Sequence, residues 1–502
     1  MNTSHPVVVI GAGPIGLAAA AQLLERGQDV VVLEAGAAAG AGMREWGHIK
    51  LFSTWRYNID AAARRLLETR IAGYPGDWVA PRETQLPTSA QMVSEYLAPL
   101  AAHPSMAPCI KYGHRVIAVT RVLPSGAGVD LARSAGRDSS LFLVRSRVGD
   151  ETVDVLARAV IDASGTWSSP NPVGRSGIDA LGEAAARAAG LITSPLPDVL
   201  GASANQFAGR TVLVLGAGHS AANTLLALGR LRQQHPTTTI LWGLRGPANP
   251  IRLYGGGSAD ELPARCQLGT SLRRFVENGD ISIVENVSVA SIAVIASNGT
   301  DLHVELALAD GRRLLADVVV PATGFRPDLS ILAELRLDLD PIVEAPRELG
   351  PLIDPEFHSC GTVAAHGERE LAHPESNFYI VGMKSYGRAP TFLMATGYEQ
   401  VRSIAAALAG DRAAADAVEL ELPETGVCST DLAGSCDAPA VVAAAEAGGC
   451  CSPPEDAGSG CVGPAVAAEP AGGCCGAPEP VTIGFATGTL HGFADLVDED
   501  TI

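Results

Sequence analysis

Aromatic residues are scarce in this 502-residue chain, at 5%, while hydrophobic residues as a whole reach 47%. The interior must therefore rest on Ala, Val and Leu, the composition of parallel sheets covered by helices. No run of eighteen consecutive apolar residues occurs, which argues against a membrane-spanning helix. Basic residues are in deficit: the formal charge of -19 would repel nucleic acid or an anionic membrane surface. The apolar start, Pro6 to Ala21, lacks the basic segment of a secretory leader and carries three glycines at phosphate-loop spacing, so it reads as strand and helix. Cysteine is rare until late in the chain, with seven of the ten between Cys428 and Cys475. Without a leader, those thiols are expected to be reduced and the protein cytoplasmic.

At about 150 residues per domain, the length predicts roughly three units. Val7–Ile10 is a β-branched run, followed by Gly11-Ala12-Gly13-Pro14-Ile15-Gly16, an Ala/Leu helix to about Arg26 and a second strand from Val30 to Leu33. That is a strand, a glycine turn and a helix within about thirty residues, the context in which such a fingerprint binds a dinucleotide. A second unit starts at Thr211, where Val212–Leu215 runs into Gly216-Ala217-Gly218-His219-Ser220-Ala221, a helix to about Arg232 and a strand from Thr238 to Trp242. Strands at 115–121, 141–146 and 157–162 close the first unit, and those at 281–285, 302–308 and 317–321 repeat the plan in the second. A late strand, Phe378–Gly382, and a helix near 395–408 read as the first domain resumed after an insertion.

The fold class is thus α/β: two Rossmann-like dinucleotide-binding domains, one inserted into the other, and a Cys-rich low-complexity C-terminal tail. The expected divisions are 1–196 and 323–410 for the outer domain, 197–322 for the inserted one and 411–502 for the tail. The tail is rich in Ala, Gly, Pro, Glu and Cys, and Gly448-Gly449-Cys450-Cys451 recurs as Gly472-Gly473-Cys474-Cys475.

In the first fingerprint Gly11, Gly13 and Gly16 let the chain turn tightly and approach a pyrophosphate placed at the helix start, beside Pro14 and Ile15. Glu34, followed by Ala35, ends the next strand, and a carboxylate there suits an unphosphorylated ribose, as in FAD or NAD. In the second fingerprint, Gly216 and Gly218 precede His219, Ser220 and Asn223, with Ala221 in place of the third glycine. Its second strand ends in Trp242-Gly243-Leu244-Arg245 without an acid, so Arg245 is the candidate partner of a 2'-phosphate and NADPH the expected cofactor; otherwise Arg245 is an exposed loop arginine. His219 and Ser220 are expected to cap the helix and touch phosphate.

Ile161-Asp162-Ala163-Ser164-Gly165-Thr166 and Ala322-Thr323-Gly324-Phe325-Arg326-Pro327-Asp328 resemble the paired turns that close a flavin domain. With these segments the chain resembles the two-dinucleotide-binding flavoproteins, and among them the class B flavin-containing monooxygenases. Trp46 to Ser53, Trp55 to Asp60 and Lys384 to Phe392 resemble, more narrowly, the flavoprotein monooxygenases encoded beside arsenic-resistance genes. The resemblance covers roughly residues 5 to 430. It departs from class B at Pro195 to Gly201, where the Phe-x-Gly-x-x-x-His signature is missing, so ketone and amine substrates do not transfer directly.

The resemblance implies FAD on the outer domain, NADPH on the inserted one, and dioxygen and a small molecule as co-substrates. It adds Trp46, Val116, Ala163, Ser164, Gly165, Gly382, Thr323 and Gly324 to the cofactor residues. Asn58 would lie beside the flavin ring, its alternative being a cap, and Lys384, Tyr386 and Arg388 would line the substrate side, their alternative being a solvated loop. A disulfide reductase of the same superfamily needs two thiols against its flavin, but the segment 1–196 offers Cys109 and the inserted domain Cys266. In the tail, neighbouring Cα atoms about 3.8 Å apart make poor disulfides. Cys450, Cys451, Cys461, Cys474 and Cys475 are instead expected to capture a soft ion such as trivalent arsenic, unless the tail is inert. The expected reaction is NADPH- and FAD-dependent oxygenation of a small soft nucleophile, a trivalent arsenical or antimonite. The alternatives are a metal(loid) or disulfide reductase and oxygenation of organic amines, sulfides or ketones. A homodimer is compatible with the sequence.

Overall fold

Each of two parallel sheets lies between a helical layer and a three-stranded meander, an arrangement that starts from strands apolar on both faces. The computed structural model describes residues 5–69, 78–123, 125–130, 136–249, 254, 263–296, 302–356, 363–390 and 392–420, with backbone alone for 263–267. They belong to one unit spanning Met1–Ala438; the tail cysteines from Cys428 onward lie outside the described residues.

The first sheet holds β1 (Val7–Ile10), β2 (Val30–Glu34) and β3 (Ile110–Tyr112). The chain then forms the antiparallel meander β4 (Arg115–Val122), β5 (Leu141–Val148) and β6 (Glu151–Ala157) before returning as β7 (Ala159–Asp162). The second sheet holds β8 (Thr211–Leu215), β9 (Thr239–Gly243) and β10 (Ser282–Val284), followed by the meander β11 (Val289–Ala296), β12 (Leu302–Leu308) and β13 (Arg313–Ala316), then β14 (Val318–Pro321). The last strand, β15 (Phe378–Ile380), rejoins the first sheet beside β7, giving the order β15-β7-β1-β2-β3; the second sheet reads β10-β9-β8-β14. The strands of the second sheet thus fall in sequence between β7 and β15 of the first, and the strands read at 115–121 and 141–146 form a separate meander.

Alternation along single strands builds both layers. Val7 and Val9 face the core formed with α1 (Pro14–Glu25), α2 (Ala61–Glu68) and α5 (Met394–Leu408), while Val8 and Ile10 face the β4–β6 meander. Val212 and Val214 likewise meet the core of α3 (His219–Gln234) and α4 (Pro263–Glu277), and Leu213 and Leu215 meet the β11–β13 meander.

The passages between the units are joined to each other. The Asn171 amide N–H donates to the Gly324 carbonyl at 2.9 Å, its side-chain amide to the Thr323 carbonyl at 3.1 Å, and the Thr323 hydroxyl to the Asn171 carbonyl at 2.7 Å. Val173, Ala180, Ala186, Leu191 and Ile192 already pack in the second unit, so its core begins well before the 196/197 division read from the sequence. Leu181 and Ile192 also bridge to Ser291 and Val319. The low aromatic content gave no signal there, because this segment contributes single apolar residues rather than a periodic run.

Two buried polar clusters tie distant chain segments into the first unit. Glu375, just before β15, accepts from the Arg121 guanidinium at 2.8 Å and the Arg137 guanidinium at 2.9 Å, and Arg121 stacks over the Phe142 ring. A buried acid paired on both oxygens is costly to unpair, by about 3–5 kcal/mol. Asp60 is the second node: it caps α2 through the Ala63 amide at 2.8 Å and accepts from the Gln22 side chain of α1 at 3.0 Å. Its own amide donates to the Tyr96 hydroxyl at 3.2 Å.

Burial pushes the Asp60 carboxyl up to about 6, against the hydrogen bonds from Ala63 and Gln22. The folded protein thus holds this proton between pH 4 and 6 while the unfolded chain releases it, so the contribution of Asp60 to stability falls as pH rises through that window. The shift of about two units corresponds to about 3 kcal/mol. Urea unfolding of wild type and Asp60→Asn, which keeps the cap acceptor, should therefore show the variant gaining up to about 3 kcal/mol relative to wild type between pH 4 and pH 7. A difference constant across that range would refute the assignment.

Candidate functional site

Three parallel strands, β1, β7 and β15, end side by side at Ile10, Asp162 and Ile380, and the turns after their carboxyl ends meet there. Crevices of this kind are where open parallel sheets bind ligands. Gly11 adopts a positive φ of 98°, and a Cβ on it would stand 2.9 Å from the Ala163 carbonyl oxygen. A Cβ on Gly16 would fall 1.9 Å from the Gly11 carbonyl oxygen, so helix α1 approaches the turn at a distance only glycine allows.

Gly13 is different. It is the N-cap of α1, in extended conformation, and a Cβ there would meet nothing within 4 Å. No side chain caps this helix and its first turn holds no acid. The amide dipoles therefore face an open cradle, the seat a pyrophosphate requires.

Glu34 closes one side. Its carboxylate accepts from the Ala12 and Gly36 amides, both at 2.6 Å, which fixes it at the tip of β2 beside the glycine turn. The remaining lone pairs suit ribose hydroxyls. Ala35 follows it, exposed. These residues fit the adenosine diphosphate half of FAD.

The late segment packs on the same turn. Ile15 fills the space left by Gly382 and Gly397, where Cβ atoms would come within 3.1 and 2.6 Å of it. The Gly382 amide donates to Gln400 at 2.8 Å, and the Gln400 side-chain amide donates to the Ser385 hydroxyl and to His366 Nε2, both at 2.9 Å. His366 Nε2 is then the acceptor and Nδ1, 3.1 Å from the Ala364 carbonyl, the donor, so the ring is neutral. Burial lowers its pKa in agreement.

Lys384 is buried and reaches Asp162 at 2.7 Å and the Ser164 hydroxyl at 3.1 Å, locking the late segment to the turn Ala163-Ser164-Gly165. Tyr386 is buried between the His366 and Phe392 rings. Arg388 pairs with Glu344 at 3.2 Å, as does Arg326 of the second passage; burial pushes the Glu344 carboxyl up, but the two guanidiniums outweigh it and hold it low. Trp46 stacks near Trp167, at 6.2 Å between rings, and Val116 lies half-buried on β4.

Asn58 faces inward. It is fully buried; its side-chain amide donates to the Ser53 and Thr54 carbonyls at 2.7 and 2.9 Å, and its side-chain oxygen accepts from the Ser53 hydroxyl at 2.9 Å. Its side chain holds the 53–58 turn together, and its own carbonyl accepts from the Tyr398 hydroxyl at 2.8 Å.

The second crevice repeats the first. Gly216 has a φ of 126°, with the Ala322 carbonyl 2.0 Å from its would-be Cβ, and Gly218 caps α3 with nothing within 4 Å of that position and no side-chain cap. Trp242 of β9 donates from its indole to the Gly216 carbonyl at 2.7 Å, a brace that carries no periodic signal in the sequence. Ala221 is wholly buried in place of a third glycine. Ser220 is half-buried, and the Asn223 side chain turns back to the His219 carbonyl at 3.0 Å. Arg245 stands exposed beyond β9 with no acidic partner among the described residues. This set fits the diphosphate and 2'-phosphate of NADPH. Thr323 and Gly324 serve the passage between units.

Because Gly13 faces open space and Gly16 faces backbone, their substitutions should separate binding from folding. Gly13→Val should leave the thermal midpoint of the flavin-free protein within a few degrees of wild type and weaken FAD binding at least tenfold. Gly16→Ala should destabilise by about 1–3 kcal/mol, as overpacking does. Flavin retention after gel filtration and calorimetry read the two effects; equal FAD affinity in Gly13→Val would mean the cradle is not the flavin seat.

Comparison with known proteins agrees with the first crevice. Residues 6–107 match the family model described as FAD dependent oxidoreductase. A curated relative, flavin-containing monooxygenase FMO GS-OX-like 2 of Arabidopsis thaliana, is 26% identical over 193 residues; the match spans 34% of this chain and 39% of that protein's length. The fold is similar to bacillithiol disulfide reductase Bdr (YpdA) from Bacillus cereus, with 18% identity, a TM-score of 0.53 and coverage of 81% of this chain and 99% of that one. It is also similar to ornithine hydroxylase (PvdA) from Pseudomonas aeruginosa, with 16% identity, a TM-score of 0.50 and coverage of 81% and 99%. Over residues 6–107 this chain is thus similar to the FAD dependent oxidoreductases, and one flavin-containing monooxygenase is among the proteins it resembles in sequence.

Proposed function

We propose that the protein is an NADPH- and FAD-dependent monooxygenase that oxidises a small soft nucleophile, with trivalent arsenicals or antimonite as the favoured substrates. The observation that carries the reading is the pair of uncapped helix starts behind open glycine cradles, one flanked by Glu34 and the other by Arg245. Bound FAD would accept a hydride from NADPH and, once reduced, react with dioxygen. The chain holds the two nucleotides and sets their geometry: Glu34 binds ribose, Lys384 and Gln400 fix the late turn over the first cradle, and Arg245 selects the phosphorylated nicotinamide.

The bacillithiol disulfide reductase shares the fold, but the described residues offer no pair of thiols for a dithiol mechanism. Cys109 is the only cysteine whose side chain the structure describes, and burial, with the charge of Asp29, pushes its thiol up rather than activating it. The soft substrate rests on the vicinal thiols Cys450-Cys451 and Cys474-Cys475 with Cys461, all outside the described residues. Organic amines or sulfides are the second reading, in line with the flavin-containing monooxygenase and ornithine hydroxylase relatives.

Under air, with NADPH and arsenite, methylarsenite or antimonite, the purified protein should release one pentavalent product per NADPH consumed, and none without oxygen. Peroxide as the sole product with every metalloid, together with N- or S-oxide from an amine or sulfide, would move the assignment to the second reading. Oxygen-independent turnover would make it a reductase. Arg245→Ala should raise KM for NADPH at least tenfold and leave that for NADH unchanged; equal effects on both would remove Arg245 from the 2'-phosphate role.

A further inference from the structure

One aromatic side chain of the first unit touches the entrance of the second cradle. The Phe52 ring lies 4.9 Å from the His219 ring, centroid to centroid and tilted by 52°. His219 is the first residue of α3, directly after Gly218. Phe52 therefore sits beside the diphosphate seat of the inserted unit although it belongs to the FAD-side chain. The seat itself is left open, because the Cβ position of Gly218 has no neighbour within 4 Å. The ring flanks the cradle without plugging it.

The loop that delivers Phe52 is held from several sides. The Leu51 amide donates to the Pro87 carbonyl at 2.8 Å and the Trp55 amide to the Gln85 carbonyl at 3.0 Å. Between them, the buried Asn58 side chain binds Ser53 and Thr54. This bracing fixes the Phe52 ring beside the first residue of α3.

We propose that Phe52 is a positioning residue of the dinucleotide site: it walls the second cradle from the flavin side, holds the His219 ring against it, and confines the nicotinamide half of the bound cofactor to the cleft between the units. Asn58 acts through Phe52 by fixing its loop. The inference rests on the reading of the second crevice as the NADPH site. Because Phe52 meets the start of α3, where the diphosphate common to both nucleotides would sit, it serves NADP+ and NAD+ alike.

The test titrates full-length, FAD-loaded protein with NADP+ and with NAD+, following flavin fluorescence or heat of binding, for wild type, Phe52→Ala and Phe52→Tyr. Expected are a loss of at least tenfold in affinity for both nucleotides in Phe52→Ala, recovery to within about threefold of wild type in Phe52→Tyr, and an unchanged flavin content and thermal midpoint in both. Unchanged or tighter binding in Phe52→Ala would overturn the wall, tighter binding meaning that the ring obstructs the site. Loss confined to NADP+ would also overturn it. Wild type that binds neither nucleotide would remove the NADPH reading itself, and the inference with it.

Discussion

How closely a helix can approach the turn that precedes it governs both crevices. At Gly16 the backbone of the first turn occupies the volume of a side chain, and at Gly216 the carbonyl of Ala322 does the same. This proximity aims the first amides of each helix at a point outside its own sheet, where an anion would replace the missing cap. The second unit shows that latitude exists: a buried Ala221 stands where the first fingerprint has Gly16, whose Cβ would meet backbone.

Around those turns the molecule places its charges sparingly and pairs them. Lys384 with Asp162, and Glu375 with Arg121 and Arg137, are buried ion pairs that join residues hundreds of positions apart. Such groups add little net stability over an apolar core, but they penalise any arrangement that separates them. They are therefore best understood as devices of specificity, holding the late segment in one position over the first sheet. The joined passages, Asn171 against Thr323 and Gly324, do for the connection between units what the ion pairs do for the return.

The glycine turns, the strands on either side of them and the late return were legible because each is a local pattern: a β-branched run, a fixed spacing, a change of periodicity. What escaped was set by distant partners. β3 is three residues long and, among the described residues, pairs only with β2; the meanders look like ordinary strands until their neighbours are known; and the Pro- and Gly-rich passage near Asn171 reads as a turn without showing that it bonds to Thr323 and Gly324. Asn58 is a local case. Its position along the chain resembled that of a residue beside the flavin, whereas its amide is used up within its own turn. Phe52 and Trp242 lie in segments the sequence singled out, but the contacts of their rings with His219 and Gly216 come from residues that fold against them.

The pairing of β15 with β7 has a temporal side. A ribosome delivers residues 159–162 long before residues 378–380, and in that interval β7 presents an unpaired edge with its apolar face uncovered by α5. The inserted unit closes its own sheet from residues within its span and so completes first, while the N-terminal segment waits. A nascent chain stalled before Phe378 is thus a finished inner module carried on an open edge, the kind of intermediate that chaperones shield and that pairs with a neighbour when they do not.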